Sequence, residues 1–130
     1  MGVFAEATRN KILDHITARA TYAAVSVYLA LYDGDPTGAG AEIETPTQNG
    51  YARQQLSSSN MSAAASGAIT NSAAITWGPA TAAWGDVTYV CAFDASTDGN
   101  LLWYDDVATK TVGSGDSYQI AAGDLDLTLT

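Results

Sequence analysis

From Trp84 to the C-terminus the chain falls into short apolar runs of strand length with turn residues between them. That pattern confines it to an all-β architecture with antiparallel neighbours. In the run Trp84–Asp94, the residues Val87, Tyr89, Cys91 and Phe93 alternate with smaller or polar neighbours. A period of two predicts a strand that turns this set into a core and leaves its other side free. Asp98-Gly99-Asn100 is a strong turn signal, and Leu101–Val107 is expected to pair back as a hairpin. Thr111-Val112, Ser117–Ile120 and Leu125–Leu129 read as further strands, the last with clean alternation.

The earlier part of the chain supplies one helix. Its pattern runs from about Glu6 to Ala20, with Ile12, Leu13 and Ile16 on one narrow face. Such a stripe suits packing against a sheet, or docking onto another subunit. In Val25–Tyr32, Val25, Val27, Leu29 and Leu31 point one way and Tyr28 and Tyr32 the other, so this strand is expected to be covered on both faces. Residues 33–50 lack periodicity and carry Gly34, Gly38, Gly40, Pro36 and Pro46, which predicts an exposed loop or arm. Tyr51–Leu56 reads as a strand. Ser57–Ala68 is rich in Ser and Ala and fits either a strand or a flexible connection. Ala68–Asn71 and Ala74–Trp77 are short strands, the second ended by Gly78-Pro79.

About eight to nine strands at spacings of roughly 8–12 residues predict an all-β, antiparallel β-sandwich with one N-terminal α-helix, a jelly roll fitting best. The 130 residues have room for a single domain with a sizeable core, its sandwich spanning 25–130. A lone cysteine permits no internal disulfide, and its place on the apolar phase makes Cys91 a small buried hydrophobe.

Fourteen acids stand against five Lys and Arg, a net charge of -9, which argues against nucleic acid and anionic membranes as partners. No run approaches the roughly 20 apolar residues a membrane helix needs. Glu6 sits where a signal peptide would have its apolar core, so synthesis in a host cytoplasm without a targeting segment is expected.

Little chemistry accompanies this sheet. His15 is the only histidine, and Asp14 beside it points about 100° away on a helix, so the two form no orienting pair. No Gly-x-Ser-x-Gly elbow, phosphate-binding glycine loop or His/Cys ligand set exists, so no catalytic residue, metal or cofactor is expected. Asp33-Gly34-Asp35 and Asp105-Asp106 are the best carboxylate groupings. They provide too few oxygens for calcium, which takes about six to eight, and turn formation by Asp and Gly is the plainer reading of the first. Trp77, Trp84, Trp103 and seven tyrosines could line a groove, but filling a core or a subunit interface accounts for them more simply.

The runs Lys11–Ile16, Val27–Thr37, Gly50–Gln54, Asn71–Trp77, Trp84–Tyr89, Gly99–Tyr104 and Gly113–Leu125 together resemble small virion proteins of tailed bacteriophages, of the tail-fibre or capsid decoration (cement) type. The resemblance spans nearly the whole chain in order. It implies a non-enzymatic virion component, a jelly-roll-like unit working as a homotrimer. The leading expectation is a decoration protein on the outer capsid surface that bridges neighbouring capsomers, with the major capsid protein as partner. The alternative is a tail-fibre or receptor-binding module whose exposed Trp or Tyr engages a host surface glycan. The expected contact residues are Ile12, Leu13 and Ile16 on the helix, Tyr28 and Tyr32 on the first long strand, and Ile43 in the arm.

Overall fold

The structure is a computed structural model that describes residues 2–129. Strand β1 (Val3–Phe4) leads into helix α1 (Glu6–Ile16). After it come β2 (Val27–Asp33), β3 (Ala41–Glu42), β4 (Gln54–Leu56), β5 (Ala68–Thr70) and β6 (Ile75–Trp77). The long hairpin β7 (Gly85–Phe93) and β8 (Leu101–Val112) is followed by β9 (Tyr118–Ile120) and β10 (Asp126–Thr128). Every strand pair is antiparallel.

One layer is a six-stranded sheet ordered β1-β8-β7-β2-β3, with β4 also on β2. The second layer is divided into two ribbons, β5 with β10 and β6 with β9. Between the layers lies the main core. Leu29, Leu31, Val90, Ala92 and Trp103 from the sheet meet Ile75, Trp77, Tyr118, Ile120 and Leu125 from the ribbons, with Tyr51 and Trp84 closing one side. The architecture is the expected all-β sandwich with a single N-terminal helix. The tryptophans are core residues: Trp77 packs edge-on against Tyr118 and Trp84 against Tyr51, and Trp103 is buried as well.

The ribbons are tied together by Asn71, which is buried. Its amide donates to the carbonyls of Ala73 and Ala121, and its oxygen accepts the amides of Gly123 and Leu125, all within 3.0 Å. A buried amide with both ends satisfied adds specificity without an orphaned polar group.

Helix α1 stops at Ile16, short of the expected Ala20. Ala18 takes a left-handed backbone (φ 60°), which a non-glycine residue cannot continue into a helix. Thr17 Oγ1 donates to the Leu13 carbonyl at 2.7 Å, and the amides of Arg19 and Ala20 turn back to Asp14. His15 Nδ1 then accepts the Tyr22 amide and holds the departing chain.

Strand β7 departs from its expected phase. Between the pairs Val87–Lys110 and Tyr89–Asp106, β7 advances two residues while β8 advances four. This irregularity turns the strand over. Val87, Val90 and Ala92 therefore face the main core, whereas Cys91 and Phe93 join Ala30 in a second cluster with Tyr32, Tyr89, Leu101 and Tyr104. The side expected to be free is apolar too. Strand β2 buries Leu29 and Leu31 on one face and Ala30 on the other, while Tyr28 and Tyr32 stay half-exposed, so its outer face is not covered as expected.

Cys91 is fully buried and unpaired with another cysteine. Burial raises its thiol above the ordinary range, with Glu42 and Asp35 adding to the effect, so the nucleophilic thiolate is suppressed. A thiol reagent is expected to leave the native protein unlabelled and to modify one thiol per chain once denaturant is added. Rapid native labelling would contradict this burial.

The stretch 33–50 is not a free arm. Strand β3 inside it pairs Glu42 with Tyr32 and Ala41 with Asp33. Asp35 closes a tight turn, its carboxylate accepting the amide and hydroxyl of Thr37, and these bonds hold its pKa below the usual range. Glu44 does the same with Asn49 and Thr45. The plain reading of Asp33-Gly34-Asp35 as a turn matches this geometry.

Between β3 and β4 the edge of β2 would be left with a bare amide at Leu31. The Tyr51 hydroxyl accepts it at 3.0 Å and donates to Glu42 at 3.1 Å. Arg53, its side chain 3% exposed, forks onto Glu42 with its closest contact at 2.7 Å. The same guanidinium donates to the carbonyls of Ala95 and Asp98 and stacks 4.2 Å over Phe93. One arginine thereby fastens the 33–50 segment and the β7–β8 turn to the second apolar cluster.

Candidate functional site

Two surfaces present apolar side chains outward, and they differ in charge. The first surrounds α1. No side chain caps the start of the helix, which is held by the Ala5 amide donating to the Leu102 carbonyl and by Arg9 donating to the Phe4 carbonyl. Only Thr8 of the helix is buried. Ile12 is half-buried and lines a groove of about 320 Å³ with Phe4, Tyr22, Val25, Val27 and Trp103. Leu13 and Ile16, expected either to pack on the sheet or to dock onto another subunit, are 57% and 69% exposed. Ile16 shares the side of Thr8 and Ile12 but stands at the end of the helix, and Leu13 is turned about 100° from Ile12.

Beside the helix, Leu129 is 56% exposed and lines a further hollow with Arg9, Ile12 and Leu13. The hollows continue along Ile69, Leu127 and Leu56 beneath β5 and β10. Lys11 lies 5.7 Å from the Tyr22 ring, and Arg19 is paired with Asp14 at 3.6 Å at the helix exit. The surface is thus apolar with a basic margin.

The second surface is the outer face of the main sheet. Register places Tyr28 beside Phe93, Tyr32 beside Tyr89, Cys91 beside Tyr104 and Tyr104 beside Val3. Phe93 is buried and Tyr32 stacks on it at 5.7 Å, while the four tyrosines stay half-exposed. Tyr89 and Tyr104 sit 6.4 Å apart. Burial raises the Tyr89 phenol pKa, and the nearby carboxylates Asp35 and Asp106 raise it further. This face is aromatic with an acidic margin.

The expected contact residues therefore divide three ways. Ile12, Leu13 and Ile16 belong to the helix surface, and Tyr28 and Tyr32 to the tyrosine face. Ile43 packs half-buried against the main core. Sequence reading missed Leu129, Val25, Tyr89 and Tyr104. The two tyrosines lie on strands whose phase shifts at the irregularity, and no local signal marks it.

Among the described residues no group of three or more metal-ligand side chains comes together. Asp105 is half-buried, whereas Asp106 is exposed. All three tryptophans are buried, so the exposed aromatics expected of a glycan-binding module come down to tyrosines.

No curated protein matches the chain. A family model described as podophage GP4 fiber I protein gp80 matches residues 4–128, from the first strand through the last. The word fibre supports the second of the two expected roles over attachment to the outer shell.

Proposed function

The chain belongs to the podophage GP4 fiber I protein gp80 family and is a virion structural protein of the fibre type, and from that premise we propose that it works as a building block of the phage tail fibre, held to its neighbours by side-chain surfaces rather than by chemistry. The family match over almost every element of the fold carries this reading. The exposed helix surface supports it, because Leu13, Ile16 and Leu129 in one region form an apolar patch of the kind that marks an interaction site. A homotrimer built on such patches would present several copies at once and gain avidity from modest contacts.

Leu13→Asp separates a core role from a contact role. Because Leu13 is mostly exposed, the variant is expected to fold with a stability change within about 0.5 kcal/mol. It should then fail to incorporate into particles when supplied to a phage lacking the native gene. Incorporation at the native level, or gold-labelled antibody decorating the whole shell, would overturn the proposal.

A further inference from the structure

The charge of the chain is distributed unevenly in a way its net value conceals. Residues 6–19 carry three bases, Arg9, Lys11 and Arg19, and two acids, whereas the rest of the chain carries two bases and twelve acids. Those two remaining bases are engaged internally, Arg53 on Glu42 and Lys110 on the Ser117 carbonyl. The helix segment therefore has a net charge of +1 on an acidic protein, with Arg9 also donating to the Phe4 carbonyl and Arg19 paired with Asp14. It also holds the most exposed large apolar residues among those described, Leu13 and Ile16.

We propose that the helix surface of one copy docks on the tyrosine face of a second copy, in a heterologous, head-to-tail contact. The occupant is argued from charge. Two helix surfaces facing each other would set two segments of net positive charge together, with Lys11 near its own duplicate and only Glu6 and the already paired Asp14 to offset it. Like charges set face to face disfavour that pairing. The tyrosine face offers the complement: half-exposed Tyr28, Tyr32, Tyr89 and Tyr104 to receive Leu13 and Ile16, with Asp35 and Asp106 at hand for the bases. Tyrosine and arginine are the residues that interface centres favour.

Pairing through strand edges is the less favourable route. The outer edge of β8 beyond β1 carries the register irregularity, which sends Asp106 and Lys110 to opposite faces. Irregular, lysine-bearing edges of this kind resist strand addition.

A head-to-tail contact leaves one free surface at each end of any chain of copies. It closes into a ring where the rotation divides a full turn, and otherwise grows into a filament. The proposed homotrimer is its three-copy closure. The inference deepens the fibre proposal but is tested on the purified chain, so location in the particle and self-association can fail separately.

The test uses two blocked variants. Leu13→Asp/Ile16→Asp blocks the helix surface, and Tyr28→Lys/Asp106→Lys alters the tyrosine face near both its ends; thermal melts verify that each folds. Sedimentation of the native chain should show oligomers that weaken with added salt. Either variant alone should need at least about tenfold higher concentration to associate. An equimolar mixture should form a one-to-one heterodimer and stop there, because each partner retains the surface the other lacks. Should Tyr28→Lys/Asp106→Lys misfold, Asp106→Lys alone, rescued by Lys11→Asp in the mixing partner, serves instead. Three outcomes overturn the proposal: full association by either variant, a mixture that stays monomeric, or a monomeric native chain whose tyrosine face binds a soluble polysaccharide.

Discussion

Replacing Arg53 by alanine is expected to destabilise the domain by about 3–5 kcal/mol, the cost of removing one partner from a buried ion pair. The guanidinium is nearly sealed from water. Burial opposes its charge, but the hydrogen bonds and charge of Glu42 more than compensate, and its pKa rises. Without Arg53, Glu42 keeps only the Tyr51 hydroxyl, the Ala95 and Asp98 carbonyls lose their donor, and the Phe93 ring loses its cover. Chemical denaturation measures the loss. Arg53→Met combined with Glu42→Leu should be clearly more stable than Arg53→Ala, since no buried charge is then left alone. Equal stability of the two variants would mean that the pair contributes packing and little else.

Trp77→Ala should cost a similar amount, about 3–5 kcal/mol, by opening a cavity where the sheet meets the β6–β9 ribbon. Trp77 is fully buried, and its ring stands 5.8 Å from that of Tyr118. Its indole N–H has no hydrogen-bond partner among the described residues. Trp77→Phe keeps an aromatic edge for Tyr118 and removes that unmatched donor, so it should lose much less than the alanine variant. The expected ranking in denaturant midpoint is native, then phenylalanine, then alanine. A phenylalanine variant as weak as alanine would show that the indole N–H is satisfied in solution.

Local pattern was enough to read the alternation of the strands, the Asp98-Gly99 turn, where consecutive residues do take positive φ, the burial of Cys91 and the start of the helix. It failed where the outcome depends on partners far away in the chain. The phase of β7 depends on how many residues β8 spends between Asp106 and Lys110. The end of the helix depends on Ala18 adopting a left-handed backbone that no alanine announces. The 33–50 segment reads as an exposed loop or arm, and its tether is not legible locally because Arg53 holds Glu42 from eleven residues away and reaches the β7–β8 turn from more than forty. The candidate surfaces were half legible. Ile12, Leu13 and Ile16 stand out by helical spacing, and Tyr28 and Tyr32 by strand alternation. Tyr89 and Tyr104 join them only once three strands are laid in register.

Quantitative mass spectrometry of purified particles, counting this chain against the major capsid protein, tests the fibre proposal most directly. A fibre building block should be present in a handful to a few tens of copies per particle. Hundreds of copies, in proportion to the shell protein, would contradict it and return the chain to the outer capsid surface.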